Sequence, residues 1–291
     1  MGNAKNVIDL NEARTTLGQV AKNRPSLAGP AAVLNEVLPV LFAADFSTRI
    51  EITEAAALEK LKNGVPLVRG ERLVFERQSF ITRWSAVCAA LQRHQGDPEA
   101  ARLSVSLKDG TLEIDRLVDL VLAGAVGVIA ADAETAGLNP ALLASVLRLT
   151  LFPVLSEVTR AFAPILDQHR WGQGYCGVCG SWPLMAELRG LEQLRFLRCG
   201  LCAADWQFSS LQCPFCNESD HRQLGYFLIE ADETKQRVVT CDRCRGYVKT
   251  VHALFPLEPP DLLVADLASI HLDLAASERG YVVPISPTEK M

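Results

Sequence analysis

The stretch GYCGVCGSWP, residues 174–183, sets Cys176 and Cys179 apart by two residues, with Gly180 directly behind the second cysteine. The same spacing returns at Cys199/Cys202, Cys213/Cys216 and Cys241/Cys244. A CxxC turn delivers two sulfurs from one tight loop, and a tetrahedral metal site needs two such turns brought face to face. Nineteen residues separate the first and second pairs, ten the second and third, and twenty-four the third and fourth. A gap of about twenty residues suits a β-hairpin, whose strands run out and return to one place.

Both long gaps carry hairpin signals. PLMAELRGLEQLRFLRC turns at Gly190, and GYFLIEADETKQRVVTC turns at a polar ADETK segment before its second arm reaches Cys241. Each second pair precedes a further strand-like run, ADWQFSSL and GYVKTVHAL. Knuckle, hairpin, knuckle and strand thus occur twice in succession, the pattern of a rubredoxin-like or zinc-ribbon module repeated. One arrangement joins the first pair to the second and the third to the fourth. The alternative interleaves them, first with third and second with fourth, and leaves the hairpins without a closing role.

A turn that wraps amides around a sulfur tends to need a left-handed residue just after its second cysteine. Gly180 and Asn217 suit that need, whereas Ala203 and Arg245 do not, so one half of each site is expected to be strained or differently shaped. Four thiolates accept either zinc or iron. The commonest employment of such a site is structural, with metal binding supplying folding free energy of roughly 10 kcal/mol or more. Rubredoxin-type electron transfer and CxxC thiol–disulfide chemistry are the functional alternatives.

The chain has 291 residues, 49% of them apolar, and a net charge of −5. That supplies a sizeable core and gives no electrostatic reason for a nucleic-acid or anionic-membrane partner. The N-terminus, MGNAKNVIDLNEARTT, lacks an apolar signal region, and Asn6 stands where a myristoylation signal wants Ser or Thr. The longest uncharged apolar run, residues 120–131, has twelve residues, short of the ~20 a helix needs to span a bilayer. The expectation is a soluble, cytoplasmic protein without membrane insertion, where cysteines stay reduced.

The first thirty residues read as a loose lead-in, and the pattern is then helical to about Trp171. SFITRWSAVCAALQRH places Phe80, Trp84, Val87, Cys88 and Leu91 on one face behind a Ser79 cap. EIDRLVDLVLAGAVGVIAADA reads as one buried helix in which Gly124 and Gly127 let a neighbour approach. Asn139 and Pro140 then open a helix with a stripe of Leu143, Leu147, Leu151, Val154, Val158, Phe162 and Ile165, kinked or divided at Pro153 and Pro164. WGQG after it reads as a hinge, and PPDLLVADLASIHLDLAASERG as a last helix capped at Asp261 and stopped at Gly280.

These readings give an α+β chain: a mostly helical N-terminal domain (1–171), two tandem rubredoxin-like, zinc-ribbon-like four-cysteine β modules (172–212 and 213–257), and a C-terminal helix and tail (258–291). Cys88 belongs to a helix core. His169 and His252 lie near the pairs, but eight thiolates already complete two sites. Asp266, His271 and Asp273 read as a solvated or partner-facing surface. Residues 172–250 hold nine Lys/Arg against nine Asp/Glu, a net of zero, which leaves a zinc-ribbon nucleic-acid binder as the weakest alternative.

With four such pairs behind a helical domain, the chain resembles the formate dehydrogenase accessory proteins of the FdhE family. The resemblance is carried by GYCGVCGSWP (174–183), RCGLC (198–202), CPFC (213–216), CDRC (241–244) and DLASIHLDLAASERGY (266–281). Gly177 departs from the proline that the family's first knuckle often carries. The resemblance implies a cytoplasmic maturation factor rather than an enzyme. Such a factor binds the catalytic subunit of respiratory formate dehydrogenase before its export by the twin-arginine route. It also implies two mononuclear, rubredoxin-like sites with iron as the ion and zinc as the alternative: Cys176, Cys179, Cys199 and Cys202 on one, Cys213, Cys216, Cys241 and Cys244 on the other.

Overall fold

In the computed structural model, which describes residues 8–43, 47–229 and 236–284, helices occupy the chain as far as Gln168. They are α1 (Asn11–Asn23), α2 (Ala28–Leu41), α3 (Glu54–Lys62), α4 (Arg77–Gln95), α5 (Pro98–Ser106), α6 (Ile114–Ala123), α7 (Val126–Thr135) and α8 (Pro140–Gln168). A two-stranded ribbon, β1 (Thr48–Ile50) with β2 (Leu73–Phe75), lies among them. The lead-in is therefore ordered from Asn11. Ala13, Leu17 and Val20 are buried, and their three-to-four spacing is a stripe hidden in a polar composition.

The start of α8 follows its sequence. Asn139 Oδ1 accepts from the amides of Ala141 at 2.9 Å and Leu142 at 3.1 Å, and Pro140 fills the first turn. Leu143, Leu147, Leu151, Val154, Val158 and Ile165 are buried. Pro153 and Pro164 do not divide the helix; α2, α3, α4, α5 and α7 pack against it and hold it through the missing amides. By length and composition α8 could cross a membrane, but 56% of its most apolar window is buried inside the fold.

Two helices differ from the sequence reading. α4 begins after Glu76, so Ser79 is inside its first turn, where its hydroxyl accepts from buried Arg83. Phe80, Trp84, Val87 and Cys88 are buried as the periodicity requires. Residues 114–135 form two helices, because Gly124 takes φ +69° and closes α6. Gly127 has no atom within 4 Å of the place its Cβ would occupy, so it admits no close neighbour.

Both cysteine repeats contribute to one six-stranded sheet. Its strands are β3 (Pro183–Arg189), β4 (Leu194–Cys199), β5 (Asp205–Gln207), β6 (Leu224–Leu228), β7 (Arg237–Cys241) and β8 (Tyr247–Ala253), in the order β5-β4-β3-β8-β7-β6. The β3–β4 hairpin turns at Gly190 and sets Ala186 opposite Leu197; β6 and β7 set Tyr226 opposite Val239. The ADETK turn lies outside the described residues. The two repeats meet where β3 runs parallel to β8, with Ala186 beside Thr250.

The chain closes with α9 (Pro259–Ala268) and α10 (Ile270–Glu278), two helices broken at Ser269 rather than one. Glu258, not Asp261, occupies the N-cap. α10 packs on β7 and β8, and Lys249 of β8 is only 1% exposed. Its Nζ lies 2.7 Å from Asp266 Oδ1 and 2.6 Å from Asp273 Oδ2. Arg148 reaches Asp266 Oδ2 at 3.2 Å, and Tyr247 donates to Asp273 Oδ1 at 2.9 Å. Burial works to raise the Asp266 pKa, but Lys249 and Arg148 outweigh it and hold the carboxyl below its usual range. His271 meets Arg24, with Nη1 at 2.5 Å from its Nδ1. Asp266 and Asp273 thus pair with buried Lys249 rather than standing free in solvent, although Asp273 keeps an exposed side on a cleft.

Asn139→Ala is expected to lower stability by about 1 kcal/mol in urea unfolding, the worth of a side-chain cap. Lys249→Met is expected to cost about 3 kcal/mol or more, because it leaves two aspartates without their buried cation.

Candidate metal centre

The cysteines gather into two groups, and in each the four sulfurs lie within 4.8 Å of one another. Cys176, Cys179, Cys199 and Cys202 make the first; Cys213, Cys216, Cys241 and Cys244 make the second. The sulfur separations are 3.5 Å for Cys176–Cys202 and 3.4 Å for Cys179–Cys199. In the second group they are 3.6 Å for Cys213–Cys244 and 3.7 Å for Cys216–Cys241. A tetrahedron with metal–sulfur bonds of ~2.3 Å has edges of about 3.8 Å, so both donor sets fit a single ion bound by four thiolates. The repeats pair consecutively, since the hairpins return each second knuckle to its own first; the interleaved arrangement does not occur.

All four knuckles share one backbone turn. The amides of Cys176, Cys199, Cys213 and Cys241 donate to the carbonyls of Ser181, Ala204, Glu218 and Gly246 at 2.8–2.9 Å. The residue after each second cysteine is left-handed: Gly180 at φ +82°, Ala203 at +59°, Asn217 at +60° and Arg245 at +58°. The shape is common to all four, so of the two expected outcomes it is strain that Ala203 and Arg245 carry. Arg245 is held there by its own side chain, which donates to Arg279 O at 2.6 Å and stacks on the Tyr281 ring at 4.0 Å. Ala203 has no such tether, since a methyl group can make neither contact. Amides of Val178, Leu201 and Gly246 approach the sulfurs of Cys176, Cys199 and Cys244 at 3.4 Å, dipoles that favour thiolate.

The two groups differ in setting. Every cysteine of the first is buried, whereas Cys216 and Cys244 of the second are half-buried. Burial pushes the Cys176 and Cys202 thiols up, while neighbouring sulfurs pull Cys179 down. In the second group the Cys213 sulfur draws Cys244 down to about 5, and burial raises Cys216 to about 11. Crowded sulfurs share few charges by themselves; a cation is what permits four thiolates together. The ninth cysteine, Cys88, is pushed up to about 12 by burial and stands apart in the helical core. Among the described residues, neither His169 nor His252 joins a group that could hold a metal ion.

The expected WGQG hinge is a packed joint. A Cβ on Gly174 would fall 1.8 Å from Pro214 O, so only glycine lets the first site's lead lie against the second site's loop. Trp182 stands edge-on to Phe215 at 5.2 Å and continues that contact between the sites. Beside the first site, a mostly apolar cleft of about 690 Å³ opens between α6–α8 and residues 179–184, with Arg69 and Arg148 on its wall. Such a cleft has no sequence signature, because its walls come from distant segments.

Ala203→Gly is expected to raise the stability of the metal-loaded chain by about 1 kcal/mol in urea unfolding, by relieving the left-handed strain. Arg245→Gly is expected to bring no such gain, because it removes the contacts to Arg279 and Tyr281.

The family described as FdhE, C-terminal domain, matches residues 211–284. A protein FdhE homolog from Aquifex aeolicus is 34% identical over 142 residues, 47% of this chain and 49% of that protein. A homolog from Pseudomonas aeruginosa is 38% identical over 115 residues, 37% of this chain and 36% of that protein. Protein FdhE of Escherichia coli O127:H6 is 34% identical over 110 residues, 37% and 34% of the two chains. These matches thus span about half the length of the curated relatives or less. The crystal structure of the FdhE protein from Pseudomonas aeruginosa shares the fold over 99% of this chain and 96% of its own, with a TM-score of 0.64 at 24% identity. Residues 211–284 thus match the FdhE C-terminal domain, and the chain as a whole shares the fold of an FdhE protein.

Proposed function

We propose that this protein is a cytoplasmic maturation factor, not an enzyme, that binds the catalytic subunit of respiratory formate dehydrogenase. The observation that carries the reading is the pair of consecutive four-cysteine groups in an FdhE-family fold. All eight cysteines act as ligands, four to each of two mononuclear ions, with iron as the resident ion and zinc as the competitor that such sites also accept. A bound ion supplies a cross-link between two knuckles and, as iron, a one-electron centre. In this reading residues 1–171 form the helical part, 172–212 and 213–257 the two metal modules, and 258–291 the closing segment.

The cleft beside the first site supports a protein-binding role. Its apolar wall suits an apolar segment of the client, and the Arg69 and Arg148 guanidiniums favour an acidic residue within it. Arg148 already serves Asp266, whereas Arg69 has no ion-pair partner among the described residues and is open to such a client group.

Protein purified without oxygen or added metal is expected to carry about two ions per chain and to capture the formate dehydrogenase catalytic subunit in a pull-down. Arg69→Glu combined with Val126→Arg is expected to weaken capture at least tenfold with both ions retained. A two-metal protein with no affinity for that subunit would overturn the maturation reading. Fewer than one ion per chain would overturn the two-site reading.

A further inference from the structure

Arg195, in β4, is 3% exposed. Its guanidinium donates to Ser209 O and, at 2.7 Å, to Gln212 O, the residue before Cys213. It lies 5.3 Å from the Phe208 ring centre, and its Nε is buried without a hydrogen-bond partner. No carboxylate pairs with it among the described residues, whereas buried Arg198 and Lys249 both have one. A buried cation satisfied only by carbonyls is costly unless a charge of opposite sign is close by. The groups lining its small cavity include Cys213, Cys241 and residues of the second site's knuckle loops. The other cations of that region are engaged at the surface, Arg243 on Glu218 at 2.9 Å and Arg245 on Asp242 at 3.2 Å.

Four thiolates around a divalent ion carry a net charge of about −2. We propose that Arg195 is the buried counter-charge of the second four-cysteine site, a positioning residue that lets its loops hold a metal–tetrathiolate anion. The first site does not use it: Arg198, the buried cation beside Cys199, is already paired with Glu187, and Arg69 is half-buried against Gly180 on the cleft side. Strand β4 therefore has two duties. It ends on Cys199, a sulfur of the first site, and four residues earlier supplies the charge that balances the second. This rests on the cysteines binding metal.

The test uses the full chain loaded with Zn(II) and challenged with a chromophoric chelator, one ion being released in each of two phases. Cys216→Ser identifies the phase of the second site. Arg195→Gln, which keeps amide donors but no charge, is expected to speed that phase about 10–100-fold and leave the other unchanged. Arg195→Lys is expected to restore slow release. In the iron-loaded chain, Arg195→Gln is expected to lower the reduction potential of one site only, because the more negative reduced form loses its counter-charge. Should Arg195→Gln yield no folded protein, Arg195→Met takes its place on the same readouts. Wild-type release from folded Arg195→Gln, equal acceleration of both phases, or Lys behaving like Gln would each overturn the assignment. A wild-type chain that binds fewer than two ions fails the metal reading itself, whereas two ions with indifferent variants fail Arg195 alone.

Discussion

In each knuckle the first cysteine's amide donates to the carbonyl five residues on, and that bond aims two sulfurs at one point. The price is a left-handed residue behind the second cysteine, adopted by Gly180, Ala203, Asn217 and Arg245 alike. Where the side chain does not suit that conformation, the surroundings enforce it. Arg245 shows how: its guanidinium grips Arg279 and Tyr281, so knuckle geometry and the position of the chain's last helix reinforce each other.

Two such turns converge only because a hairpin separates them, and the two hairpins share one sheet. The parallel pairing of β3 with β8 turns two repeats into a continuous surface, and Gly174 against Pro214 locks the loops of the two sites together. A disturbance of one four-cysteine group therefore meets backbone of the other within a few residues. The second group nonetheless keeps two half-buried sulfurs while the first is enclosed, so equal sets of thiols sit in unequal dielectric surroundings.

Buried charge is the other organising feature. Lys249 lies between Asp266 and Asp273, and Arg198 meets Glu187, a residue with 0% exposure. Each pair fastens strand to strand or strand to helix, and breaking one would leave a desolvated charge behind. Arg195 stands out in this company, its complement being the cysteine cluster rather than a carboxylate.

The cysteine spacing alone indicated four knuckles with hairpins in the long gaps, because a CxxC turn and a hairpin are local structures; the folded sheet then decided that the pairs group consecutively. The same locality holds for the cap at Asn139 and the buried stripes of α4 and α8, which short-range periodicity records. Tertiary structure alone decided the rest. That Pro153 and Pro164 leave α8 whole, that Gly124 divides a seemingly continuous helix, and that residues 11–23 are ordered all depend on what packs alongside. Asp266 and Asp273 read as surface residues until β8, which carries Lys249, is placed mid-sheet beneath α10. Charges become partners only when distant strands and helices meet, and no spacing along the chain encodes that meeting.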